Sequence, residues 1–149
     1  MKTKSAALFI IALTLTGCVS QEELARRQAA FNEMQSRLSA SQNNTIVTCP
    51  NKQVCDKAFS LAKIYVQNNA DMKIQFSDET TISTYNPINY GYMGLNATRT
   101  PEVGDSSSIK LVASCKGMYD GGGYFYEMCA NRVTPVYEGF KPFIESKIK

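Results

Sequence analysis

The sequence contains no histidine and no tryptophan. Without histidine it lacks the side chain that most often acts as general base and metal ligand near neutral pH. Ser-His-Asp and Cys-His catalysis within the chain are therefore excluded, whereas lysine- or carboxylate-based chemistry is not. No Cys-x-x-Cys occurs, so the usual low-pKa thiol of a disulfide-exchange enzyme is missing. Gly121-Gly122-Gly123 has neither the spacing nor the following Lys-Ser/Thr of a phosphate loop. Basic residues do not cluster beyond Arg26-Arg27, and no internal repeat is present. The formal charge is +3, which gives no electrostatic reason to expect a nucleic-acid partner. Hydrophobic residues make up 44% and charged residues 19% of the 149 positions, enough to bury one ordinary core and too apolar for a disordered polyelectrolyte.

No apolar run is long enough to span a bilayer. Ala6 to Leu15 is nearly all apolar, but ten helical residues cover only ~15 Å of a hydrocarbon core of ~30 Å. With Lys2 and Lys4 ahead of it, the run reads as the h-region of a signal peptide. It ends in Leu15-Thr16-Gly17-Cys18, which resembles the lipobox of bacterial lipoproteins. Small residues before the cut suit a peptidase cleft, and the Cys18 thiol is the nucleophile that takes the diacylglyceryl group. The resemblance implies cleavage before Cys18 and lipidation there by diacylglycerol and a further acyl chain such as palmitate. Each buried methylene contributes about 0.8 kcal/mol, so such an anchor holds stably. The next residue is Val19 rather than Asp. By the sorting rule of enterobacteria-like cells, this implies the outer membrane, facing the periplasm. Loss of residues 1–17 removes two lysines and no acid, leaving 14 basic side chains against 13 acidic.

Residues 18–44 read as a lipidated N-terminus and helical tether, and 45–149 as a periplasmic domain. Gln21 to Ser41 has no Gly or Pro, with Leu24, Phe31 and Leu38 seven residues apart and Met34 between them. Two heptads without clear e/g pairing make a weak coiled coil. The plainer reading, a spacer whose thin apolar stripe packs on its own domain, is favoured. Ala40 to Asn44 reads as a polar linker.

In the domain, Pro50 to Asn69 predicts a helix with Val54, Ala58, Leu61, Ala62 and Tyr65 on one face. Met72, Ile74 and Phe76 alternate with polar residues as a half-buried strand, and Thr80 to Tyr85 pairs back on it. Tyr90 to Thr98 and Ile109 to Cys115 are two further strands, and Tyr124 to Cys129 suggests a short edge strand. Thr134-Pro135 starts a terminal helix that Pro142 should kink or split. The expected fold class is α+β: an antiparallel sheet of four or five strands, with a helix before it and a helix after it.

With Cys18 assigned to lipid, Cys49, Cys55, Cys115 and Cys129 remain. An even number in an oxidising compartment suggests two disulfides. A four-thiolate zinc site is the rival reading, but neither pair has the two- to four-residue spacing zinc usually takes. Three connectivities are possible, and sequence proximity alone favours Cys49–Cys55 and Cys115–Cys129. No metal or cofactor is expected.

The most suggestive surface segment is Lys116 to Glu127, where Tyr119, Tyr124 and Tyr126 stand beside flexible glycines. Tyrosine combines large contact area with a polar tip. Tyr85, Asn86, Asn89, Tyr90 and Tyr92 form a second such cluster. The plainer reading, that half of these rings pack in the core and the glycines only turn the chain, is favoured. Asp78-Glu79 is an adjacent acidic pair of the kind usually just solvated in a turn, and nothing in the sequence points to a cleft there. The sequons at Asn43 and Asn96 are irrelevant in ordinary bacterial export.

Cys49-x5-Cys55-Asp56, Lys73-Ile74-Gln75 and Thr84-Tyr85-Asn86-Pro87 together resemble small proteobacterial lipoproteins of uncharacterised function with paired cysteines. The resemblance covers about Cys49 to Cys129. This chain lacks their tryptophans and their tighter final cysteine pair. It implies a periplasmic, disulfide-bonded domain and carries over no functional residue.

The expected function is that of a non-enzymatic interaction or accessory protein, held on the membrane by its lipid and contacting an envelope protein or the cell wall. The alternatives are a small-ligand or peptidoglycan-binding module, or an inhibitor or exclusion factor against an envelope-attacking enzyme or phage.

Overall fold

The computed structural model describes residues 20–148. The h-region, the lipobox and Cys18 lie outside the described residues. Three helices and five strands follow in the order α1 (Gln21–Ser41), β1 (Ile46–Cys49), α2 (Lys52–Asn69), β2 (Ile74–Ser77), β3 (Thr81–Thr84), β4 (Met93–Pro101), β5 (Ser107–Cys115) and α3 (Gly122–Ile148). The class is α+β, with a helix on either side of the sheet in sequence, as the residue pattern predicts. The sheet is antiparallel throughout, in the order β1-β5-β4-β3-β2.

Alternation of side chains along the strands sorts the sheet into two faces. Val47, Ile82, Leu95, Ala97, Ile109 and Leu111 are buried beneath α2 and α3. The opposite face is uncovered and mixes polar with apolar side chains: the register aligns Val112, Asn96, Ser83 and Phe76 in one row across four strands. Ile46, Lys110, Thr98 and Thr81 form the neighbouring row. Phe76 is 52% exposed there.

The helix starts follow local chemistry. Ser20 Oγ accepts the N–H of Glu23, and Asn51 Oδ1 accepts that of Val54, satisfying N–H groups that have no partner inside the helix. Pro50 therefore sits just ahead of α2 rather than in its first turn. α1 covers Gln21–Ser41, the span its composition indicates. Its first half is exposed and its last turns are docked: Leu38 is buried, Met34 packs against the core, and Arg37 makes paired hydrogen bonds to Glu138 on α3. Gln42–Asn44 form a 3-10 turn between the buried Ser41 and Thr45.

Two expected elements are corrected. Tyr124 to Cys129 is not an edge strand but the opening of α3, which runs unbroken from Gly122 past both Pro135 and Pro142. The β-propensity of Tyr-Phe-Tyr is overridden by a helical stripe of Cys129, Ala130, Val133, Val136, Tyr137, Phe140 and Ile144, all buried. Each proline deletes one intrahelical N–H, and tertiary packing along this stripe holds the helix through both. The fifth strand is instead β1, four residues too short to show as a period, which pairs with β5 from Ile46↔Lys110 to Cys49↔Ser107.

Candidate functional site

Both local cysteine pairs are bonded, Cys49–Cys55 and Cys115–Cys129. The first ties β1 to the opening of α2. The second ties the end of β5 to α3 and closes the glycine-rich segment between them. That closure brings the two tyrosine clusters together. The connection from β3 to β4 (residues 85–92) and the one from β5 to α3 (116–121) lie side by side, joined by hydrogen bonds from Gly91 N–H to the Lys116 carbonyl and from Lys116 N–H to the Tyr92 carbonyl. The Tyr90 ring lies 4.4 Å from that of Phe125, and Lys116 Nζ stands 5.3 Å from the Tyr90 ring centre.

This end of the molecule is called the apex below. Five of the eight tyrosines are exposed on it: Tyr85, Tyr90, Tyr92, Tyr119 and Tyr124. Tyr119 is 93% and Ile88 80% exposed. Tyr126 is placed differently from Tyr119 and Tyr124: it faces α1, with its ring 5.4 Å from that of Phe31. The remaining two tyrosines are core residues. Tyr65 donates to the Val136 carbonyl at 2.8 Å, and Tyr137 Oη accepts the Ala113 N–H at 2.9 Å.

The apex is held by an ion pair that no pattern in the sequence indicates. Arg132 on α3 donates to Asp71 at 2.7 Å and to the Gly91 carbonyl at 2.8 Å. Asp71 in turn accepts the N–H of Met93 at 2.7 Å and donates its own N–H to the Met93 carbonyl. Asp71 and Arg132 are remote in sequence, and no local signal joins them; only the fold does.

A concavity lies at the other end of the sheet. A cleft of about 480 Å³ is lined by Lys52, Asp56, Asp78, Glu79 and Arg99 among others, so the acidic turn does border a cleft. Asp56 accepts from Lys52 and from Arg99, each at 2.7 Å. Those two hydrogen bonds hold its carboxyl below the usual range. Asp78 is held low by the N–H groups of Thr80 and Thr81, which it caps within the turn.

The perturbed groups all move away from neutrality. Hydrogen bonding lowers Asp56, Asp78, Asp120 and Glu138 and raises Lys116 and Arg37. Burial raises Tyr137, and pushes Tyr65 up to about 12. A general acid or base works best with a pKa near the operating pH, and none of these shifts brings a group there. Among the described residues no helix is long and apolar enough to cross a membrane, and no group of three or more metal-ligating side chains converges. Comparison with protein-family models, with curated proteins and with solved structures finds no match for this chain.

Proposed function

We propose that this chain is a non-enzymatic envelope lipoprotein, anchored through Cys18 to the outer membrane and facing the periplasm, whose apex contacts another envelope component. The observation that carries the contact reading is the convergence of five exposed tyrosines and Ile88 on one end of the domain. Rings of this kind are large, rigid and amphipathic, and bind at low entropic cost. The disulfide and the Asp71–Arg132 pair hold their loops in place before any contact is made, which lowers the cost of binding further. The anchor is supported by the Leu15-Thr16-Gly17-Cys18 sequence and its basic and apolar lead.

Two measurements test the reading. Metabolic labelling with palmitate should mark the wild type and not Cys18→Ser, and the wild type should fractionate with the outer membrane. Photo-crosslinkers placed at Tyr119 and Tyr124 in intact cells should give reproducible adducts, while one at Val103, 93% exposed at the far end of β4, should give none of the same kind. Absence of lipid, or of adducts specific to the apex, would remove the proposal. A second reading, a glycan-binding module, is favoured by exposed Asn86 and Asn89 among these tyrosines. A pull-down with purified peptidoglycan that recovers no protein would eliminate that version.

A further inference from the structure

The start of α1 at Ser20 and the apex lie on the same side of the molecule. α1 and α3 run in the same direction where they touch: Phe31 lies against Tyr126, and further along both helices Arg37 binds Glu138. Followed back toward its start, α1 therefore leaves the domain past the beginning of α3. From Phe31 to Ser20 is eleven residues, or ~16 Å of helix. Two more residues reach Cys18, adding at most ~7 Å. Chain length thus keeps Cys18 within ~23 Å of Phe31, whose ring meets Tyr126 in the opening turns of α3, whatever the tilt of α1. The nine residues of β4 separate the apex from Val103 by a further ~30 Å.

The chemistry of the apex suits what lies at that distance. The segment from Tyr85 to Tyr92 carries no charged residue. In the facing segment Lys116 and Asp120 neutralise each other at 2.6 Å. Tyrosine rings favour the boundary between hydrocarbon and water, with the ring in the apolar zone and the hydroxyl in the headgroups. The other surfaces differ: the open sheet face exposes Ile46, Phe76 and Val112 but sets them among Lys110, Thr, Ser and Asn with no tyrosine, and the cleft carries five charged side chains.

We infer that the apex rests on the phospholipid headgroup layer of the same leaflet that holds the Cys18 lipid, with Tyr119, Tyr124 and Ile88 entering it. The inference rests on the anchored reading above and names its contact. It makes a two-point attachment, which fixes the orientation of the domain and turns the cleft outward from the membrane.

The absence of tryptophan gives a clean test. Full-length lipidated protein is reconstituted into vesicles of phosphatidylethanolamine and phosphatidylglycerol carrying brominated acyl chains, with Tyr119→Trp, Ile88→Trp or Val103→Trp as the only indole. All three positions are at least 80% exposed, so none disturbs the core. The inference expects blue-shifted emission and bromine quenching for the two apex variants and unshifted, unquenched emission for Val103→Trp. If the protein floats with the vesicles and all three indoles behave alike, the inference is overturned and the anchor stands. If cell-made protein carries no lipid and does not float, the anchored reading fails and takes the inference with it.

Discussion

The ring of Tyr90 lies 4.4 Å from that of Phe125, and Gly117 is the residue that allows it. Gly117 adopts φ +97°, and a Cβ there would stand 2.7 Å from the Tyr90 ring and 2.8 Å from Phe125 Cβ. The two connections that make the apex are thus packed through the absence of a side chain.

Gly117→Ala should therefore cost about 2–4 kcal/mol, the strain of a left-handed backbone plus displacement of an aromatic ring. Gly104 offers the control. It too has positive φ, +68°, but nothing lies within 4 Å of its Cβ position, so Gly104→Ala should cost only about 1–2 kcal/mol. Urea denaturation of both variants checks the difference. Equal losses would mean that the Tyr90–Phe125 contact has no energetic weight.

The two disulfides should differ in value. Chain entropy assigns about 3 kcal/mol to a loop the size of Cys115–Cys129 and about 2 kcal/mol to the shorter Cys49–Cys55 loop. Replacing each pair by serine and measuring Tm should give the larger drop for the first. The Cys115 and Cys129 variant should in addition lose order selectively at residues 116–124, visible as faster amide exchange there.

The parts of this molecule that are legible in sequence are those with a repeating signal. α1 and α2 declare themselves by composition and a one-sided apolar period, and both cysteine pairs follow from count and proximity. The full length of α3 is hidden in the sequence because Tyr124-Phe125-Tyr126 favours a strand locally and Pro135 looks like a helix start. What decides against both is the buried stripe from Cys129 to Ile144, which needs the sheet beneath it to have meaning. β1 has four residues, and only its pairing to β5 makes it a strand. The apex was half legible. Each tyrosine cluster stood out alone, but their meeting, and the clamp of Asp71 and Arg132, depend on contacts between residues distant in sequence.

Alkaline conditions should weaken the fold through Tyr65. Burial holds its hydroxyl protonated up to about 12, against an ordinary value of about 10. The folded state therefore binds this proton more tightly than the unfolded chain. The contribution is complete below pH 10 and is lost progressively as pH rises from 10 to 12. Tyr65→Phe should be less stable at pH 7 by about 1 kcal/mol, for the lost bond to the Val136 carbonyl, yet show a shallower decline above pH 10. Tyr137, also raised by burial, should leave part of that decline in place.

The docking of α1 should rest on its buried side chain rather than its ion pair. Leu38 is buried against the core, whereas the Arg37 side chain is 64% exposed where it meets Glu138. Leu38→Ala should cost about 2–3 kcal/mol, and Arg37→Ala clearly less, because solvent screens its exposed ion pair. Limited proteolysis should follow the same order, with α1 released early only in Leu38→Ala. If Arg37→Ala frees the helix as readily, the ion pair is the main fastening.

The clamp at Asp71 and Arg132 should behave as one unit. Asp71 receives both the Met93 N–H and the Arg132 guanidinium, and Arg132 also holds the Gly91 carbonyl. Truncating either partner leaves the other with an unmet charge and frees a backbone group at the start of β4. Either Asp71→Ala or Arg132→Ala should then cost about 1–3 kcal/mol. Groups that share a network are not additive, so the double variant should cost less than the two losses combined, with a coupling of about 0.5–3 kcal/mol. Strict additivity in urea denaturation would show that each residue fastens its own segment separately. A measured coupling would mean that the connection at residues 85–92 is held to α3 through this pair, and that the tyrosines it carries are positioned before anything binds them.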